Sequence, residues 1–187
     1  SISMPVTSLA AQYKVTMVSY GSTSPKLSNK DQYPFFLRTI PPDSLQGGGM
    51  WAFMSKFGVP AVSFIYTQES YGEGLFQTVS NFAGKAGKAN TVQSVGLKYM
   101  PNRDTYDSEV TKEVIRTTMS MSSKIVLLAM TTDQARKFWP LAAVLGMTSS
   151  KYQLAGSEAM PFSSAEIEDK SGYYLGAGYM WFSPQER

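Results

Sequence analysis

Apolar positions along this chain fall into short runs separated by longer stretches of helical spacing, and the two kinds of segment alternate through most of its length. The plainest short run is Lys124 to Met130, which reads as a strand. Tyr13 to Tyr20 and Phe35 to Thr39 also read as strands, separated by a stretch from Gly21 to Lys30 in which Ser, Pro and Asn mark turns. Ser44 to Phe57 has helical spacing, although Gly47, Gly48 and Gly49 should each weaken it by about 1 kcal/mol relative to alanine. Pro60 to Tyr66 then predicts a buried strand, Tyr71 to Lys88 a helix, Thr91 to Met100 a strand and Asp107 to Met121 a helix. Thr132 to Gly146 predicts a helix kinked at Pro140. Tyr152 to Ala155 and Tyr173 to Trp181 are the last two strands, with a short helix from Ser163 to Asp169 between them.

From Ser44 onward this order alternates helix and strand with short connections, which predicts an α/β fold: a parallel sheet with helices on both faces. Sheets of that kind take ligands outside the carboxyl ends of their strands. The loops that matter are then 67–71, 101–107, 130–133 and 156–164.

Composition narrows the chemistry. The 187 residues are 43% hydrophobic, too apolar for a disordered tail, and contain neither cysteine nor histidine. Disulfides, thiolate nucleophiles, zinc-thiolate sites and imidazole bases are thereby excluded, and no cofactor or metal is expected. Lys and Arg number 17 against 14 Asp and Glu, a net charge of +3 without basic runs, which argues against nucleic acid as a partner. The longest apolar stretches, Ile125 to Met130 and Pro140 to Met147, fall well short of the roughly 20 residues that span a bilayer. The chain opens on Ser1, and Ser1 to Gln12 lacks the basic-then-apolar layout of a secretory signal, so a processed protein or part of a longer one is expected.

Five residues stand out as candidate ligand contacts. Ser22 and Thr23 lie in the turn from Ser19 to Pro25, whose hydroxyls and freed amides suit a small carboxylate; an ordinary polar surface turn is the plainer explanation. Asp43 sits at a strand-to-helix junction, where an N-cap is the default role. Tyr71 lies at a helix mouth, either covering a ligand or packing on the surface, beside Ser70 and Glu73 in a capping-box pattern. Glu158 follows a strand end, where a carboxylate can pair with an ammonium or simply be solvated. Asp43 and Glu158 could also be imagined as an acid/base pair, but nothing in the spacing brings them together.

Three separated motifs resemble a known family. Tyr20 to Lys30, Tyr33 to Gln46 and Ser70-Tyr71-Gly72-Glu73-Gly74 are similar in order and spacing to the type 1 periplasmic-binding-protein superfamily, above all to the extracellular ligand-binding region of class C G-protein-coupled receptors such as metabotropic glutamate receptors. Natriuretic-peptide receptors and bacterial branched-chain amino-acid binding proteins are relatives. The resemblance implies two lobes that close on a ligand: residues 1–43 as the closing part of lobe 1, 44–182 as lobe 2 and 183–187 as the start of the return crossover. It implies that Ser22 and Thr23 hold the ligand carboxylate and amino group, that Tyr71 is the lobe 2 aromatic contact, that Asp43 matches an acid near the crossover, and that Glu158 faces the ligand ammonium. Departures are Gly21 in place of the receptor serine, the absence of the family's cysteines, and the glycine triplet at the start of a helix.

The resulting expectation is a non-enzymatic, extracellular or periplasmic sensing module for an amino-acid-like ligand. It would be tethered to a membrane through another part of a longer polypeptide, completed by the remainder of lobe 1, and compatible with a homodimer. An assembly module that kept the fold and lost the pocket, and a soluble solute-binding protein of a transporter, are the alternatives.

Overall fold

A computed structural model describes residues 2–97, 108–157 and 180–182, the last three as backbone. Five parallel strands form the main sheet: β3 (Val62–Thr67), β4 (Val92–Leu97), β5 (Ile125–Ala129), β6 (Gln153–Ser157) and β7 (Met180–Phe182), in the spatial order β4-β3-β5-β6-β7. A separate pair, β1 (Met17–Ser19) and β2 (Phe36–Arg38), is also parallel, with Val18 opposite Leu37. Helices α2 (Asp43–Lys56), α3 (Ser70–Lys85), α4 (Ser108–Ser120) and α5 (Thr132–Val144) alternate with the strands of the main sheet.

Why the strands read as unbroken apolar runs is clear from their two faces. Val126 and Leu128 of β5 pack toward α4 and α5 with Ile115, Phe138 and Trp139, whereas Leu127 and Ala129 pack toward α2 and α3 with Met50, Leu75 and Val79. A parallel strand covered on both sides leaves no position for a polar residue facing water. Among the described residues, no helix is long and apolar enough to cross a membrane.

Among the described residues the expected elements are present with trimmed ends, and local expectations change at the N-terminal stretch and at the start of α3. A helix, α1 (Ser3–Gln12), occupies the stretch for which the sequence suggested no element; its buried contact is Thr7, whose hydroxyl donates to Met17 Sδ at 2.8 Å. Helix α3 begins at Ser70 with Glu69 as N-cap and no side-chain cap, so the capping box expected of Ser70 and Glu73 does not form. The box is found instead at α5, where Thr131 N–H donates to Gln134 Oε1 at 2.7 Å. Helix α5 runs through Pro140, which lies on its exposed side. The predicted helix 163–169, most of the strand 173–181 and the loops 101–107 and 158–164 lie outside the described residues.

The glycine triplet has a structural reason at two of its three positions. Helices α2 and α3 approach so closely that a Cβ on Gly47 would lie 2.6 Å from Thr78 Cγ2, and one on Gly48 would lie 3.3 Å from two atoms of the Phe82 ring. At Gly49 a Cβ would meet nothing within 4 Å. The two helices can pack at this distance only because the first two side chains are missing, while the third glycine contributes only backbone freedom to the unfolded chain. Gly49→Ala should therefore raise stability by about 1 kcal/mol, a Tm increase of roughly 2–4 °C, whereas Gly47→Ala should lower the Tm. Thermal unfolding of the two variants checks this; equal effects of the same sign would contradict the packing account.

Candidate functional site

The hydroxyl turn is held from three sides. Ser19 Oγ accepts from the backbone N–H groups of Gly21 at 3.3 Å and Ser22 at 3.1 Å, then donates to Ser22 Oγ at 2.9 Å. Ser22 Oγ is also hydrogen-bonded to Ser3 Oγ of α1 at 2.5 Å. From the end of β2, Arg38 Nη1 donates to the carbonyls of Ser22 at 3.2 Å and Ser24 at 3.0 Å, and Nη2 donates to Ser28 Oγ. Arg38, Ser3 and Ser19 thus shape the turn through partners 2 to 19 residues away in the chain, and of the three only Ser19 belongs to the stretch that the sequence marks as the turn. The Ser22 hydroxyl, expected to face a ligand, is engaged inside the protein.

Asp43 joins this turn to the main sheet. It is the first residue of α2, after Pro42 at the N-cap, so the N-cap role expected for it does not hold. Its backbone N–H donates to the Thr23 carbonyl at 2.9 Å. Its side chain is 1% exposed, and neither carboxyl oxygen meets a donor at full hydrogen-bond geometry. Burial pushes the carboxyl up to about 6, and the nearby Thr23 hydroxyl and the more distant Arg38 guanidinium pull it back by less. Arg38 in turn is lowered by burial and partly restored by the Asp43 charge. A carboxylate taken from water without a full set of donors is costly unless a cation or a proton comes to it.

Tyr71 is the second residue of α3, half-buried, with its hydroxyl oxygen shielded from water. Its place is fixed by the next residue: a Cβ on Gly72 would lie 2.3 Å from the Thr67 carbonyl oxygen, so α3 can start this close to the end of β3 only with glycine there. The turn and the start of α3 face one another across a groove of about 210 Å³, lined on one side by Ser24, Pro25 and Lys26 and on the other by Ser70, Glu73 and Gln77 among others. Ser24 and Ser70 are the immediate neighbours of Thr23 and Tyr71 in the chain. Ser22, Thr23, Asp43 and Tyr71 themselves do not line this groove. The structure thus brings Thr23 and Asp43 into direct contact and sets the segments bearing Thr23 and Tyr71 opposite one another; Glu158 lies outside the described residues. Among the described residues no group of acidic side chains could hold a metal ion.

The Asp43 environment fixes a pH dependence. In the unfolded chain the carboxyl titrates near 3.8, in the folded protein near 6, so between these values the folded state binds more protons. Stability from this group is fully present below about pH 4 and lost as pH rises through 6. Urea unfolding of the parent and Asp43→Asn proteins from pH 4 to 7.5 should show the parent losing about 2 kcal/mol relative to the variant across that range. A difference independent of pH would contradict the burial of an unsatisfied carboxyl.

Comparison with known proteins agrees with this arrangement. Residues 1–180 match the family described as the receptor family ligand binding region. Metabotropic glutamate receptor 8 from Homo sapiens is 26% identical over 177 residues, which is 95% of this chain and 19% of the receptor, and the Mus musculus and Rattus norvegicus receptors match to the same extent. The chain thus spans about a fifth of the length of these relatives. A parallel sheet clad on both faces and a family match over nearly the whole chain lead to one conclusion: this chain belongs to the receptor family ligand-binding regions, as a module of the periplasmic-binding-protein-like kind.

Proposed function

We propose that this module senses a small amino-acid-like molecule held in a cleft between two lobes of a longer membrane receptor. The observation that carries the reading is the Asp43 carboxyl, buried without a full donor and in contact with the hydroxyl turn. An ammonium group would supply the charge and the N–H donors that this carboxyl lacks. Tyr71 would cover the bound molecule, and Glu158 would be the second acid facing its ammonium. In this reading residues 1–43 close lobe 1, 44–182 form lobe 2 and 183–187 begin the return crossover. A ligand touching both lobes favours the closed state through contacts that only closure completes.

The relatives support the wider context. They are by name glutamate receptors, which makes L-glutamate the first probe and an extracellular or periplasmic location, a membrane tether elsewhere in the polypeptide and a homodimer the natural setting. One observation favours a second reading, an assembly module that has lost its pocket: the Ser22 hydroxyl is already committed to Ser3 and Ser19.

Isothermal titration of the full-length protein with L-glutamate, L-leucine and glycine separates the two. One of them should bind with one-to-one stoichiometry, Tyr71→Ala should weaken that binding roughly tenfold, and Asp43→Asn or Glu158→Ala roughly thirtyfold, the loss of one aromatic contact and one charge-assisted hydrogen bond. No heat from any of the three amino acids, or binding that none of the substitutions alters, would overturn the sensing role and leave assembly as the function.

A further inference from the structure

The carboxyl edge of the sheet carries a polar bridge that none of the candidate ligand contacts explains. Glu69 is the N-cap of α3, yet its carboxylate does not cap its own helix. It reaches across to the start of α5 instead, where Gln134 Nε2 donates to Glu69 Oε1 at 2.6 Å. The same oxygen accepts from the Thr67 hydroxyl at 3.2 Å. Gln134 is 4% exposed and is fixed at its other end, because its Oε1 accepts from Thr131 N–H in the capping box. One chain of bonds thus runs from the end of β3 through Glu69 and Gln134 to the N-terminus of α5, joining the loops that follow two neighbouring strands.

The position of this bridge gives it a consequence for the site. Glu69 lies two residues before Tyr71, and Gly72 seats the same turn of helix against Thr67. Clamped by the Glu69 bridge on one side and by the Gly72 contact on the other, the first turn of α3 has little freedom to swing. A hydrogen bond to an ionised group, partly shielded from water, is among the stronger single contacts available for such a clamp. We infer that Glu69 and Gln134 are positioning residues for the ligand site, a bridge between α3 and α5 that sets where Tyr71 stands. This rests on the sensing role proposed above for Tyr71.

The bridge can be broken from either side and rebuilt by exchanging its two ends. Glu69→Ala removes the acceptor, and Gln134→Glu sets two carboxylates against each other while keeping an acceptor for Thr131. The double swap Glu69→Gln with Gln134→Glu restores an amide facing a carboxylate and keeps an acceptor for Thr131 N–H, while the Thr67 hydroxyl still reaches the Ala129 carbonyl. Amide hydrogen exchange at 70–74 in the full-length protein should rise roughly tenfold in Glu69→Ala and in Gln134→Glu, and return to within about twofold of the parent in the double swap. L-glutamate affinity, measured by titration calorimetry, should fall at least fivefold in each single variant and recover in the swap. Exchange unchanged in Glu69→Ala, or not restored by the swap, overturns the bridge whatever glutamate does. Exchange that rises while affinity holds overturns the positioning role alone. An absence of glutamate binding to the parent protein overturns the sensing of glutamate, and with it that role, while the exchange rates still decide whether the bridge holds α3 in place.

Discussion

Asp43 acts through two different groups, and the candidate site depends on both. Its backbone N–H ties the hydroxyl turn to the start of α2 through the Thr23 carbonyl, while its carboxyl is buried beside Thr23 with neither oxygen at full hydrogen-bond distance and angle from a donor. A protein that buries a carboxyl in this way accepts a standing cost at neutral pH. Structural burial alone gives no benefit in return, since an asparagine of nearly the same volume would carry no charge to desolvate. In the sensing role proposed for this module that cost is offset, because an ammonium at the carboxyl would relieve it.

The rest of the molecule holds that carboxyl and its surroundings still. Two apolar layers clamp the five-stranded sheet, and the missing side chains of Gly47 and Gly48 let α2 lie close against α3, so that the helix begun by Asp43 and the helix begun beside Tyr71 form one unit. On the other side, Arg38 uses three hydrogen bonds to fix the turn, two of them to backbone carbonyls. Charge is thereby placed near Asp43 without forming an ion pair with it. A direct pair would have satisfied the carboxyl and lowered its pKa.

The main sheet is readable from the sequence because its physics is local to each segment. A run such as Ile125 to Met130 can only be a strand covered on both faces, and the helices between such runs follow from their spacing. Helix α1 is not readable: Ser3 to Gln12 carries no charge, and its one fully buried residue is a threonine, so no amphipathic stripe announces it. The start of α3 misleads for a related reason. Ser70 and Glu73 have the right spacing for a capping box, but the bond that matters joins Glu69 to Gln134, 65 residues away. Among the candidate site residues, Thr23 and Asp43 are joined by a backbone hydrogen bond and Tyr71 stands in the first turn of α3, all outside the lining of the groove, whereas the engagement of Ser22 by Ser3 cannot be seen in a linear pattern. The resemblance to receptor ligand-binding regions points to the right family, since its three motifs coincide with the turn, the start of α2 and the start of α3.

The most direct test of this account follows the carboxyl carbon of Asp43 by ¹³C NMR as a function of pH, in the full-length protein alone and with saturating L-glutamate. The account predicts a midpoint near 6 in the free protein, moved downward when the amino acid is bound, because a bound ammonium favours the ionised form. A midpoint near 3.8 in the free protein, or one near 6 that bound glutamate leaves in place, would contradict the claim that this carboxyl is kept unsatisfied in order to receive a cationic ligand group.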